Sequence, residues 1–259
     1  MRIAMNADSR IKARSRVSAH DVFRRYKKET KQEVRKPDVK ENKALKEIKE
    51  VWQRFKYSYD DRDEVDTEVF GNYVEASALV KVFARLPYTP KDVQLFAIAL
   101  AEFQEEPHFN LKAGVFLSAL INNGSAKHYN LDLSHLSHLS EGICFLGYEN
   151  NKIVNVTGNV DVGLGQEMRA GRIVLDGNAG VFAGSDMSGG TLVIKGDVLD
   201  NLGDGMSGGK IILHGSAYPD VGKDMSGGEI HLNGDPARIG CNIHGGKIYY
   251  QGKLIAGKE

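Results

Sequence analysis

Cysteine is scarce in this chain: Cys144 and Cys241 are its only two, too few for a four-thiolate zinc or iron–sulfur site. No signal peptide and no long apolar run is visible, so the pair reads as reduced thiols of a cytoplasmic protein, and no membrane partner is expected. No G-x-x-x-x-G-K-[ST] phosphate loop occurs, despite 29 glycines. Net charge is also missing, since 34 Lys and Arg balance 34 Asp and Glu. The balance is uneven along the chain: residues 1–60 carry 18 Lys and Arg against 9 Asp and Glu, leaving the remainder acidic by the same surplus.

Glycine and methionine are present with a period. Met-Ser-Gly-Gly begins at Met187, Met206 and Met225, a step of 19 residues. Glycines fall in three columns on the same step: Gly158, Gly177, Gly196, Gly215, Gly234 and Gly252; Gly171, Gly190, Gly209, Gly228 and Gly246; Gly165, Gly184, Gly203, Gly222 and Gly240. The last step shrinks to 18, which places a one-residue deletion between Gly234 and Gly240. Between columns lie five residues whose second and fourth places are apolar in every coil: Ile173 and Leu175, Leu192 and Ile194, Ile211 and Leu213, Ile230 and Leu232, Ile248 and Tyr250. That is strand periodicity. A unit this short cannot bury its own apolar face, so each must lean on its neighbours, giving a solenoid of about six coils over residues 151–259.

In-register stacking sets equivalent residues about 4.8 Å apart, where like charges repel. The outward columns Arg172, Thr191, Lys210, Glu229, Lys247 and Asp176, Lys195, His214, Asn233, Gln251 contain no unbroken run of one sign. The ladder Met168, Met187, Met206, Met225, Ile243 is read as core filler at a corner and not as a metal site.

The unit G-x-x-M-x-G-G-x-I-x-I-x-G, seen from Gly203 to Gly215, resembles the GXGXG repeat domain found in the glutamate synthase large subunit and in one of the subunits of formylmethanofuran dehydrogenase. The resemblance covers residues 151–259. It implies a right-handed, single-stranded parallel β-helix with a structural role, holding or facing catalytic domains. The chain departs from glutamate synthase in opening Met1-Arg2-Ile3, without the cysteine nucleophile, and in lacking the cysteines for a cluster. The expected function is therefore a non-catalytic scaffold subunit of an oxidoreductase or amidotransferase complex, with no cofactor, metal or catalytic residue of its own.

The N-terminal half reads as helical, making the whole chain α+β. Residues 1–60 form a basic helical arm, its first segment opened by Ser18 and Asp21, its second running from about Lys40 to Tyr57. In the second, Leu45, Ile48, Trp52 and Phe55 make one apolar stripe, read as a partner-binding face or a cover for the β-helix. Arg24, Arg25, Lys27, Lys28 and Lys31 around Tyr26 offer the alternative of a nucleic-acid-binding adaptor. Residues 61–74 read as an acidic linker. Residues 75–124 read as a small helical domain in which Thr89-Pro90 opens one helix, Asn110 opens the next and Asn123-Gly124 closes it, with Leu95, Ile98, Phe103, Phe116, Leu117 and Leu120 inside. Residues 125–150 read as a connector and cap carrying His128, His135, His138 and Leu131, Leu133, Leu136, Leu139.

Other candidates for chemistry resolve into structural readings. His135 and His138 lack a third ligand, His214 and His231 are diagonal neighbours on adjacent coils, and Asp186, Asp204 and Asp224 fit turns better than a calcium repeat. A second alternative is an enzyme whose site lies where the helical domain meets the β-helix flank. The C-terminal tail from Lys253 is too short for a convincing cap, so partner subunits or self-association are expected there.

Overall fold

A computed structural model describes residues 41–58, 65–83, 87–136, 142–236 and 238–257. Both the Ser18 helix and the basic cluster Arg24–Lys31 lie outside the described residues, as do His138 and Leu139. Among the described residues four helices lead: α1 (Lys43–Arg54), α2 (Val65–Phe83), α3 (Pro90–Ala99, continued by a 3-10 turn, Leu100–Glu102) and α4 (Phe109–Asn123). Eight strands follow: β1 (His128–Asp132), β2 (Ile153–Thr157), β3 (Arg172–Asp176), β4 (Ser188–Ile194), β5 (Gly208–Leu213), β6 (Ser226–Leu232), β7 (Gly245–Tyr250) and β8 (Lys253–Gly257). They form one sheet in sequence order.

From β2 to β7 every pairing is parallel and steps by the repeat, aligning Ile173, Leu192, Ile211, Ile230 and Ile248. These are six rungs of a β-solenoid. The one-residue deletion falls where the bridge Ala217–Pro236 keeps the step of 19 and Val221–Ile239 drops to 18. Each coil sends five side chains inward; in one, Leu192, Ile194, Val198, Leu202 and Met206 are all at 0% exposure. The methionine ladder is core packing, with Met168, Met187, Met206 and Met225 fully buried.

The glycine columns serve two separate needs. Gly184 and Gly203 adopt φ of 66° and 68°, and a Cβ at either would strike the Ile211 or Ile230 Cδ1 inside the coil, at 2.6 and 2.7 Å. Gly196 has no such φ, but its Cα lies so close to the coil beneath that a Cβ would sit 2.5 Å from the Gly177 carbonyl oxygen. Beside that column runs a hydrogen-bond ladder. Asn159 Oδ1 accepts from Asn178 N–H (2.9 Å), Asn178 Oδ1 from Asp197 N–H (2.8 Å), and Asp197 Oδ1 from Ser216 N–H (2.8 Å). Small polar side chains thereby satisfy backbone donors that the turn leaves without a strand partner.

Three differences from the sequence reading concern the N-terminal half. The segment 128–132, expected to be part of a connector, is the first strand: β1 pairs in parallel with β2, with Tyr129 and Leu131 facing inward. The supposed linker 61–74 runs into α2, which begins at Val65 and buries Val69 and Tyr73. Its opening charges mask an apolar face. Finally, α1 is not a detached arm, because it packs on α2 and α3 in the same core.

Helix ends are interlocked. Asn42 caps α1 by accepting from Leu45 N–H at 2.8 Å, and its amide donates to Asp92 Oδ1 at 2.7 Å. Asp92 in turn closes the Thr89 capping box of α3, accepting from the Thr89 N–H at 2.8 Å and hydroxyl at 2.6 Å. Helix α4 starts at Phe109, one residue ahead of the expected Asn110, with His108 as a left-handed cap at φ 53°, and ends at Asn123 before Gly124. Packing of the helices on the first coil depends on Gly114, where a Cβ would collide with the Cys144 carbonyl. One turn on, the buried Ser118 hydroxyl accepts from Gly147 N–H at 2.8 Å and donates to the Gly114 carbonyl at 2.7 Å. Helix α3 covers β1, so the helical half closes the N-terminal end of the sheet.

Candidate functional site

The apolar stripe expected to bind a partner is used internally. Leu45, Trp52 and Phe55 are 0% exposed and Ile48 3%. Trp52 sits at the centre, with ring centroids 5.8 Å from Phe96, 5.5 Å from Phe103, 6.3 Å from Phe109 and 5.4 Å from Phe116. Its Nε1 donates to Glu106 Oε1 at 3.1 Å, while Lys112 Nζ lies 3.9 Å above the ring and 2.7 Å from Glu106 Oε2. Burial pulls the Lys112 ammonium down in pKa, against the opposing pull of Glu106. This correction has a simple cause: an amphipathic helix shows that a face is buried, not by which chain.

Where helices meet the solenoid flank, the position anticipated for an active site, a polar seam occurs. Tyr73 packs against Tyr148 with the rings tilted and their centroids 5.2 Å apart, Asn122 Nδ2 donates to the Tyr73 hydroxyl (2.9 Å) and the Tyr148 carbonyl (3.0 Å), and the Tyr148 hydroxyl donates to Glu167 at 2.7 Å. Arg169 pairs with Glu149 and lies 3.9 Å from Glu167. Burial, then the Glu149 charge among the smaller causes, raises the Tyr73 pKa and keeps its hydroxyl neutral. Each of these side chains has at least one partner across the seam, which holds helix to coil, although Asn122 Oδ1 is buried without a hydrogen-bond partner.

The histidine and aspartate candidates are dispersed. His128 is exposed on β1, and His135 sits in the 3-10 turn Ser134–Leu136. His214 meets Asn233 at 3.3 Å, whereas His231 stacks on Tyr249 at 4.6 Å and contacts Glu229 at 2.8 Å. Glu229 also accepts from Lys210 at 3.3 Å, and these hydrogen bonds hold its carboxyl below the usual range. Asp186 and Asp224 occupy left-handed turn positions at φ 54° and 53°. Lys223 lies 3.6 Å from Asp204 and 3.4 Å from Asp224. Burial pushes the Asp204 carboxyl up, and Lys223 opposes it. Among the described residues no group of three or more His, Cys, Asp or Glu is placed to hold a metal ion. No disulfide joins Cys144, which is buried, to Cys241, which is exposed. No described helix is long and apolar enough to cross a membrane.

Two surfaces remain. At the far end of the solenoid the last coil is incompletely covered: Ile239, Ile243 and Tyr250 are half-buried, whereas Val221, Met225 and Leu232 one coil earlier are at 0 to 1% exposure. Strand β8 turns back antiparallel there, with Ile255 as an extra residue between the paired Leu254 and Ala256 and 41% exposed. On α2, Phe70, Val74 and Val82 are 50%, 49% and 69% exposed. Sequence reasoning missed this second surface, although its four-residue spacing was visible. Comparison with protein-family models, with curated proteins and with solved structures finds no match.

Proposed function

We propose that this chain is a structural subunit whose β-solenoid is an assembly platform, for an oxidoreductase or amidotransferase complex of the type in which the GXGXG repeat is known. The observation that carries the reading is the unfinished terminal coil. A stack of parallel rungs is closed by helices at one end, and at the other Ile239, Ile243 and Tyr250 lack the cover their counterparts have in the coil before. Solenoids need their ends closed, and a partner subunit supplies such closure. The outward sheet face carries exposed cross-rung ion pairs, Lys195 with Asp176 at 2.9 Å and Lys210 with Glu229 at 3.3 Å, beside a column of Val174, Val193, Ile212, His231 and Tyr249. Redox or transfer chemistry would then reside in the partner.

Affinity purification of the tagged chain from its native source tests this reading. A stoichiometric co-purifying chain with a flavin, iron–sulfur or molybdopterin absorbance, lost when Ile243 is replaced by Asp, is the expected result. Recovery of the chain alone at every salt concentration would refute it.

A further inference from the structure

We propose that the free edge of β8 is a strand-addition site, taken by an extended segment of a partner protein that is apolar at its centre and carries a carboxylate towards each end. The inference rests on the reading of the terminal coil as a docking end, and it names the chemistry of what docks there. Strand β8 is the outermost of the sheet and pairs with β7 alone. Its other row of backbone N–H and C=O groups has no strand beside it among the described residues, and such a row is a template for one more strand.

Register fixes what the added strand meets. On the outer face Leu254 pairs with Tyr249 and lengthens the column that runs through Ile212 and His231; on the core face Ala256 pairs with Ile248, at the end where Ile239, Ile243 and Tyr250 are half-buried. Both faces call for apolar neighbours. The ends of the ladder are cationic instead: Lys247 pairs with Gly257 at one end and Lys253 with Tyr250 at the other. Residues 245–257 contain no Asp or Glu. The carboxylate in register with Lys247, that of Glu229, is already engaged by Lys210 at 3.3 Å and His231 at 2.8 Å, and no ion pair joins either Lys247 or Lys253 to a described residue. A carboxylate level with each lysine would continue the alternation of sign in which Glu229 lies between Lys210 and Lys247. A second copy of this edge would bring positive charge to positive charge, so the charges select a different, acidic chain.

The probe is a capped, fluorescein-labelled peptide about nine residues long, enough to span β8 and its flanks, with glutamate at both ends and valine and threonine alternating between them. Titrated with the full chain, its anisotropy should saturate with a Kd of roughly 10–100 μM and weaken as salt is raised. Lysine in place of the glutamates should cost about tenfold, as should Lys247→Gln/Lys253→Gln in the protein, and backbone N-methylation of the peptide should abolish binding. Lys253 is exposed and Lys247 half-buried, so the variant should keep the wild-type circular dichroism spectrum. No saturation by about 1 mM, an acidic peptide no better than the basic one, indifference to N-methylation, or a wild-type dimer that the peptide leaves intact would each overturn the proposal. The outcome separates from that of the co-purification. A native partner held equally by wild type and Lys247→Gln/Lys253→Gln would sink the strand-addition site and leave the structural-subunit reading standing, whereas recovery of the chain alone sinks that reading while the peptide still judges the edge.

Discussion

Substituting alanine for glycine at three positions should change stability by amounts of different size and sign. At Gly196 the added methyl would lie 2.5 Å from the Gly177 carbonyl oxygen and 2.8 Å from its carbon, and closer still to Asn178 Oδ1. Ordinary contact requires the two coils to part by several tenths of an ångström, straining the Gly196 N–H to Gly177 carbonyl bond of 3.0 Å and the rung bond from Lys195 N–H to Leu175, also 3.0 Å. Overpacking costs about 1–3 kcal/mol and a weakened hydrogen bond about 1 kcal/mol more, so Gly196→Ala should cost roughly 2–4 kcal/mol. At Gly252 nothing stands within 4 Å, but φ is 78°. There only the left-handed backbone is at stake, about 1–2 kcal/mol. At Gly71, inside α2 with nothing within 4 Å, alanine should stabilise by about 0.5–1 kcal/mol. Urea unfolding followed by circular dichroism at low protein concentration reads all three as midpoint shifts at unchanged slope. Equal losses at Gly196 and Gly252, or no loss at Gly196, would refute the stacked-coil geometry.

Trp52→Ala should destabilise by about 3–5 kcal/mol, because it empties the centre of the phenylalanine cluster; thermal melting of the purified variant checks this. Asp92→Ala should cost about 1–2 kcal/mol at neutral pH by removing a helix cap. Burial alone would raise the Asp92 carboxyl, but hydrogen bonds from Thr89 and Asn42 outweigh it and lower its pKa. Its contribution is therefore complete above the unfolded value of about 4 and disappears as pH falls through the lower folded value. Wild type and variant should converge in acid and diverge above that window in a pH series of urea midpoints. Lys195→Ala removes only the exposed pair with Asp176 and should alter the midpoint by no more than about 0.5 kcal/mol.

The solenoid is legible in the sequence because its period repeats in residues that have no substitute. Glycine at a left-handed corner and glycine beneath a neighbouring backbone cannot be exchanged cheaply, so the columns stand out in one sequence. The inward columns Val160, Ala179, Val198, Ala217 and Leu164, Ala183, Leu202, Val221 carry the same step but do not stand out in the same way. Alanine is uninformative about burial. Strand β1 escapes sequence reading because 25 residues separate His128 from its partner Ile153, and no glycine column marks it. For the candidate surfaces, the stripe on α1 is visible but its occupant is not: Phe96, Phe103, Phe109 and Phe116, which enclose Trp52, are up to 64 residues away in the chain. The tail is plainly short in sequence, yet its fold-back as β8 depends on the edge of β7, which only the assembled stack presents.

The closure of one end by α3 and α4 gives the molecule a direction of growth. Helices leave the ribosome first and offer β1 a finished surface, and every later rung finds its template already in place. Removing coils from the C-terminus one at a time should shorten a protein that still folds, whereas deleting α4 should leave the rungs without a starting point.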